Sequence, residues 1–245
     1  MNYFEKFLEN TDNRKIFKWS QYFETYDKEL SYLRDKPISF LEIGVYQGGS
    51  IPMWRGYFKK ATNMTFIDID ESCLRFEESE INILIGDQSD KSFLNKVIEN
   101  HGPFDVIIDD GSHLCNDQIT SFKSLWPAIK DNGIYLVEDT HTSYWPGFGG
   151  GYRNEASFIE FSKRIVDRMH TWWTDQDELF PYNQQPININ SVRFYDSIIA
   201  FTKKENRTHP FNITSVNGKI SKDRRAFGLR ERESLFDKDS KFHQN

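Results

Sequence analysis

The alternation of apolar and polar positions divides the chain into segments of different kinds. Between residues 3 and 33, apolar side chains recur at roughly helical spacing among charged ones, which predicts amphipathic helices lying against a larger body. From residue 38 to residue 137, short apolar runs alternate with mixed stretches that are long enough to form helices, as is typical of βαβ units and a parallel sheet. The five apolar runs cover residues 38–43, 64–67, 81–85, 104–108 and 133–137.

The helices expected between these runs lie near residues 50–58, 72–78, 92–100 and 116–129. Two further apolar runs, 191–195 and 198–202, flank Asp196-Ser197 and predict an antiparallel hairpin. The pattern as a whole therefore predicts an α/β fold: a Rossmann-like, doubly wound, mostly parallel seven-stranded sheet with a C-terminal antiparallel hairpin.

Charge and pattern together divide the chain into three parts: an N-terminal helical cap at 1–36, the α/β domain at 37–204, and a polar basic tail at 205–245 with at best short helices. The chain carries a net charge of −6, but residues 203–245 hold 11 Lys/Arg and 6 Asp/Glu, or +5, so residues 1–202 carry −11. The acidic main part lacks the basic surface expected of a general nucleic-acid binder.

Composition narrows the class of protein further. Aromatic residues make up 16% of the 245 residues, which argues against disorder. Cys73 and Cys115 are too few for a disulfide framework, and no run approaches the roughly 20 apolar residues that a membrane helix needs. The N-terminus shows no export signal, so we expect a soluble cytoplasmic protein with neither a membrane nor a nucleic-acid partner.

A glycine-containing turn follows the first predicted strand. Gly44 and Gly48 allow a sharp turn and close approach of a ligand, but the dinucleotide pattern G-x-G-x-x-G fails because position 46 is Tyr. Glu42 would repel a pyrophosphate, whereas it could accept hydrogen bonds from an amino-acid ammonium or a ribose. An ordinary tight turn is the alternative interpretation.

Acidic and amide side chains follow the next two strands. Asp68 could hold ribose hydroxyls, and Asp87 with Gln88 could pair with an adenine amino group. With Glu42, these loops suit a nucleoside that bears a cationic amino-acid tail. Surface carboxylates without a ligand are the alternative.

This constellation resembles the S-adenosylmethionine site of class I methyltransferases, whose turn reads E/D-x-G-x-G-x-G. Glu42, Gly44 and Gly48 match that turn, and Tyr46 replaces its middle glycine. The resemblance implies that residues 37–204 bind S-adenosylmethionine. The cofactor-binding residues would be Glu42, Gly44, Gly48, Ser50, Asp68, Asp87, Gln88 and Asp109.

A second carboxylate cluster is expected where strands four and five end. Asp109-Asp110 and Glu138-Asp139 would meet there, and their mutual repulsion would be relieved by a hard divalent cation such as Mg²⁺. His113 could take a proton from a metal-bound hydroxyl near neutral pH. Taken singly, an Asp pair is more often a helix cap with a solvated charge, and a lone His is more often structural.

The segments 109–113 and 137–146 resemble the metal-dependent sugar O-methyltransferases of macrolide tailoring, the mycinamicin methyltransferase group, and the resemblance extends over roughly residues 18–204. It implies that Asp110, Glu138 and Asp139 bind Mg²⁺ and that Asp109 lies near the cofactor. His113 would be the general base. No role passes to Tyr46 or His141.

Aromatic residues and glycines at 144–153 suit a mobile lid over a sugar ring, with a bland surface loop as the alternative. A helix is expected at 156–170, and an exposed Trp172-Trp173 pair would indicate an interface.

Taken together, the two clusters and the resemblance predict an S-adenosylmethionine- and Mg²⁺-dependent O-methyltransferase acting on a sugar or glycosylated metabolite. The family resemblance also favours a homo-oligomer. A catechol-type methyltransferase and a non-catalytic binding module are the alternatives.

Overall fold

The computed structural model describes residues 3–170, 173, 178–179, 188–205 and 212–223. The chain forms two compact units, Met1–Val166 with Asn188–Glu205 and Asp167–Ile187 with Asn206–Asn245. No helix among the described residues is long and apolar enough to cross a membrane.

A seven-stranded sheet forms the centre of the first unit, in the order β3-β2-β1-β4-β5-β7-β6. Strands β1 to β5 are parallel, and β7 pairs antiparallel with both β5 and β6, which confirms the predicted sheet and its hairpin. The strands are β1 (Ser39–Ile43), β2 (Asn63–Asp68), β3 (Ile81–Ile85), β4 (Phe104–Asp109), β5 (Ile129–Val137), β6 (Ile189–Phe194) and β7 (Ile199–Lys203).

Six α-helices accompany the sheet in the described part of the chain: α1 (Tyr3–Leu8), α2 (Tyr22–Leu30), α3 (Ser50–Tyr57), α4 (Lys91–His101), α5 (Cys115–Leu125) and α6 (Phe158–Met169). Two of the helices predicted from the sequence differ from the observed elements. The helix predicted at 72–78 is a 3₁₀ helix, Glu71–Phe76. The helix predicted at 116–129 ends at Leu125, because Pro127 interrupts it before β5 begins.

The N-terminal helices pack into the core of the first unit. Trp54 of α3 is fully buried and lies 5.0–5.9 Å, ring centre to ring centre, from Phe4, Tyr26 and Phe40. Burying such large aromatic surfaces is a main source of stability, so α1 and α2 are integral to the core. This packing also fixes the position of the residues between the two helices.

The described part of the second unit includes an antiparallel pair, β8 (Asn212–Val216) and β9 (Lys219–Asp223). The expectation of a tail with at best short helices is therefore wrong for these residues. Asn217 and Gly218, both with positive φ (50° and 76°), form the turn, and Asn-Gly is a strong two-residue hairpin signal. Trp173 is exposed, and Trp172 lies outside the described residues.

Candidate active site

Strand order places the candidate residues at one edge of the sheet. The chain order reverses between β1 and β4, which are neighbours, and a crevice forms outside the carboxyl ends of parallel strands at such a point. Glu42, Asp109 and Glu138 lie in or directly after β1, β4 and β5. The topology therefore brings the two predicted clusters together.

The glycine turn after β1 contacts the loop after β4. Gly44 has φ +100°, and a Cβ there would lie 2.2 Å from the carbonyl oxygen of Asp110. Asp68 fixes the same turn, because its Oδ2 accepts hydrogen bonds from the amides of Val45 and Tyr46 at 2.8 and 2.9 Å. Tyr46, at φ 51°, adopts the left-handed conformation that glycine adopts most easily.

Substituting Gly44→Ala is expected to destabilise the protein by about 1–3 kcal/mol, because the added methyl group strains the turn and displaces Asp110. Gly147→Ala is the matched control, since a Cβ there meets nothing within 4 Å. Urea unfolding of both variants tests this; equal free energies of unfolding would contradict it.

Glu42 lies completely inside the protein beneath the turn. It accepts hydrogen bonds from Ser50 Oγ at 2.5 Å and Trp54 Nε1 at 3.0 Å, and burial raises the pKa of its carboxyl group. Glu42 and Ser50 thus bond to each other. Their contact with a cofactor, like that of Gly48, stays a prediction.

Gln88 and Asp109 join two of the loops. Gln88 donates to Asp109 Oδ1 at 3.1 Å and accepts from the Ser112 amide at 2.6 Å. Asp109 is fully buried and also accepts from Ser121, and its pKa is raised to about 6, chiefly by burial. Asp87 is exposed and accepts from Ser89. Of these three predicted cofactor residues, Asp87 is the one at the surface.

The second cluster brings together Asp110, His113 and Asp139. His113 Nε2 lies 3.3 Å from Asp139 Oδ2 and 4.0 Å from Asp110 Oδ1, and one potential ligand atom from each residue lies within 4.8 Å of the others. Each of the three side chains is 20–24% exposed. His113 and Asp139 have φ of 58° and 52°, strained values that cluster at functional sites.

Glu138, the third predicted metal ligand, lies deeper than the other two. It is fully buried and accepts a hydrogen bond from Tyr26 at 2.5 Å and two from the ammonium of Lys18 at 2.9 and 3.0 Å. The structure therefore groups Asp110 and Asp139 with His113 and places Glu138 behind them. The set Asp110, Glu138 and Asp139 stays a prediction.

Lys18 is a site residue that the sequence did not indicate. Its side chain is 4% exposed and its Nζ lies within 3.5 Å of Asp110, Glu138 and Glu42. Burial alone would lower the pKa of Lys18, but these three carboxylates hold it well above the ordinary value. A cation is therefore held between the two clusters.

Aromatic side chains border the cluster. His141 bonds to Ser197 and makes edge contacts with Trp19 and Trp145, at centroid distances of 5.9 and 4.8 Å. Gly150 serves close packing, since a Cβ there would lie 2.3 Å from the Ser143 carbonyl oxygen. In the loop at 144–153, close packing therefore requires glycine at position 150. The mobility of this loop stays a prediction.

The fold is the Rossmann-like methyltransferase fold. The chain is similar to MycE, a methyltransferase from the mycinamycin biosynthetic pathway solved in complex with Mg and SAH, with a TM-score of 0.70 and 30% identity over 77% of this chain and 51% of that chain. The similarity to MycE therefore includes the amino-acid sequence as well as the fold. No protein-family model matches the chain.

Two curated relatives of the chain are O-methyltransferases of actinobacterial natural products. It is 35% identical over 206 residues, 79% of this chain and 52% of the relative, to 8-demethyl-8-(2-methoxy-alpha-L-rhamnosyl)-tetracenomycin-C 3'-O-methyltransferase of Streptomyces olivaceus. It is 39% identical over 132 residues, 51% of this chain and 33% of the relative, to mycinamicin VI 2''-O-methyltransferase of Micromonospora griseorubida. The chain spans about half the length of the first of these relatives. It is homologous to sugar O-methyltransferases, which confirms the resemblance to the mycinamicin methyltransferase group.

Proposed function

We propose that this protein is an S-adenosylmethionine- and Mg²⁺-dependent O-methyltransferase that acts on a hydroxyl of a sugar or glycosylated metabolite. The observation that carries the proposal is the contact between the two clusters: the Gly44 turn packs on the Asp110 backbone, and Asp110 faces His113 and Asp139. Its homologues methylate sugars of tetracenomycin and mycinamicin, which supports this substrate class.

The residues at the site fit a divalent cation and a nucleoside cofactor. Asp110 and Asp139 present the hard oxygen donors that Mg²⁺ prefers, and an ammonium already lies among the neighbouring carboxylates. Glu42, the Gly44–Gly48 turn and Asp68 would hold S-adenosylmethionine. When bound, the cofactor supplies the methyl group and the metal polarises the acceptor hydroxyl.

His113 then acts as the general base. Its Nε2 takes up the proton that the acceptor hydroxyl loses, and the carboxylate of Asp139, 3.3 Å away, stabilises the resulting imidazolium and orients the ring. The 24% exposure of the His113 side chain leaves the ring accessible to an acceptor. The aromatic faces of Trp19 and Trp145 suit a sugar ring or an apolar aglycone.

Removal of the metal is expected to abolish turnover. Treatment with EDTA should reduce methylation to background, and added Mg²⁺ should restore it, because the carboxylates can hold and activate the acceptor only through a cation. The acceptors are mycinamicin VI, 8-demethyl-8-alpha-L-rhamnosyl tetracenomycin C and a simple catechol, with SAH release and product mass as readouts.

Full activity under chelation would contradict the metal requirement. Methylation of the catechol alone would favour a catechol-type enzyme, and cofactor binding without turnover on any acceptor would favour a non-catalytic module. We also propose that the protein is cytoplasmic and forms a homo-oligomer. Its proposed parts are the N-terminal helical cap at 1–36, the S-adenosylmethionine-binding domain at 37–204 and the polar basic tail at 205–245.

A further inference from the structure

We propose that Lys18 and Tyr22 are positioning residues that aim the carboxylates of Asp110 and Asp139 at a shared metal position. The inference rests on the proposed metal-dependent function. It assigns a role to the segment that leads into α2, which contributes no metal ligand itself.

Lys18 engages one oxygen of Asp110 and leaves the other facing the cluster. Its Nζ lies 2.6 Å from Asp110 Oδ2, whereas Oδ1 of the same carboxylate faces His113 Nε2 at 4.0 Å. The same ammonium binds both oxygens of Glu138 and lies 3.5 Å from Glu42. Lys18 therefore fixes the rotation of the Asp110 carboxylate and offsets part of the negative charge around it.

Tyr22 has the corresponding role on the other side. Its hydroxyl donates to Asp139 Oδ1 at 2.5 Å, and Asp139 Oδ2 is the oxygen that lies 3.3 Å from His113 Nε2. The hydroxyl also accepts from the Asp139 amide at 3.1 Å and lies 2.9 Å from Ser197 Oγ. Because Asp139 has φ 52°, this contact stabilises its left-handed backbone as well.

The two contacts are complementary. In each carboxylate, one oxygen is held by a side chain from residues 18–22, and the other is turned toward His113. Outer partners of this kind orient ligating oxygens, and their loss usually costs 10–100-fold in metal affinity. Tyr22 is 1% exposed and Lys18 is 4% exposed on its side chain, so both are fixed by packing before any ligand binds.

The test compares Mg²⁺ binding in Lys18→Met and Tyr22→Phe with that in the full-length parent, by calorimetry and by competition with Mn²⁺ in electron paramagnetic resonance. We expect the Mg²⁺ dissociation constant to rise about 10–100-fold in each variant. Lys18→Arg should recover part of the affinity. The S-adenosylmethionine dissociation constant of Tyr22→Phe should stay within about twofold, since this hydroxyl contacts the metal half of the site.

Matched controls are Lys15→Met, on the exposed neighbouring segment, and Tyr32→Phe, whose hydroxyl bonds to the Asn132 carbonyl oxygen instead. Tyr22→Phe removes a single oxygen atom, so it keeps the test decisive if Lys18→Met folds poorly. Parent-like or tighter Mg²⁺ binding in Tyr22→Phe, or in a folded Lys18→Met, contradicts the inference alone. A parent protein that binds no divalent cation contradicts the proposed function and the inference with it.

Discussion

Under the proposed function, replacing His113 with alanine is expected to lower the rate of methyl transfer by about 10²–10⁴-fold, the usual contribution of a general base. His113 Nε2 lies 4.0 Å from Asp110 and 3.3 Å from Asp139, so the substitution removes the proposed proton acceptor at the cluster. Initial rates of SAH release at saturating cofactor and acceptor measure the effect.

Stability and cofactor affinity separate loss of the base from loss of the fold. His113 is partly exposed, so His113→Ala should unfold close to the parent temperature and bind S-adenosylmethionine normally. His101→Ala, at the end of α4, is the matched histidine control and should keep full activity. Normal turnover in His113→Ala would remove this residue from the mechanism.

Trp54→Ala is expected to lower the free energy of unfolding by about 3–5 kcal/mol, the usual cost of truncating a buried tryptophan. The substitution empties space between the N-terminal helices and the sheet, where Trp54 packs against Phe4, Tyr26 and Phe40. It also takes the indole donor from the buried carboxylate of Glu42. Urea unfolding followed by circular dichroism gives the value.

Trp54→Phe divides this effect into its two parts, because it retains most of the ring volume and removes the hydrogen bond to Glu42. We expect an intermediate loss, since leaving a buried acceptor short of a donor costs about 1–3 kcal/mol. Tyr152→Ala is the surface control, at 79% exposure. A loss below about 1 kcal/mol in Trp54→Ala would contradict a major contribution of this aromatic packing to stability.

Local patterns predict the sheet well. The strands β1, β2 and β4 are short, mostly buried runs, and the turn residues Gly44 and Gly48 lie where a ligand site of this fold is expected. The pairing of Asp110 with Asp139 follows from the order of β4 and β5, because the carboxyl ends of neighbouring parallel strands meet. Such features depend on residues near the strands themselves.

Long-range partners were not predictable in the same way. Tyr22 and Tyr26 fit helical spacing, which indicates a buried face but not that their hydroxyls bond to Asp139 and Glu138 more than 100 residues away. Lysine is almost never buried unless it is paired, and the partners Asp110 and Glu138 lie 92 and 120 residues from Lys18 in the sequence. The hairpin turn at Asn217-Gly218, in contrast, is a local sequence signal, but the prediction for this segment rested on its basic charge instead.

The position of Lys18 limits how the protein can be shortened or recombined with its relatives. A version that starts at residue 37, or a chimaera whose first 36 residues bring no lysine to this position, would leave Glu42 and Glu138 buried without their cation. Removing one partner of a buried ion pair typically costs about 3–5 kcal/mol. The smallest transferable unit of this fold therefore includes the residues before the first strand, and exchanges of segments with its relatives should retain them.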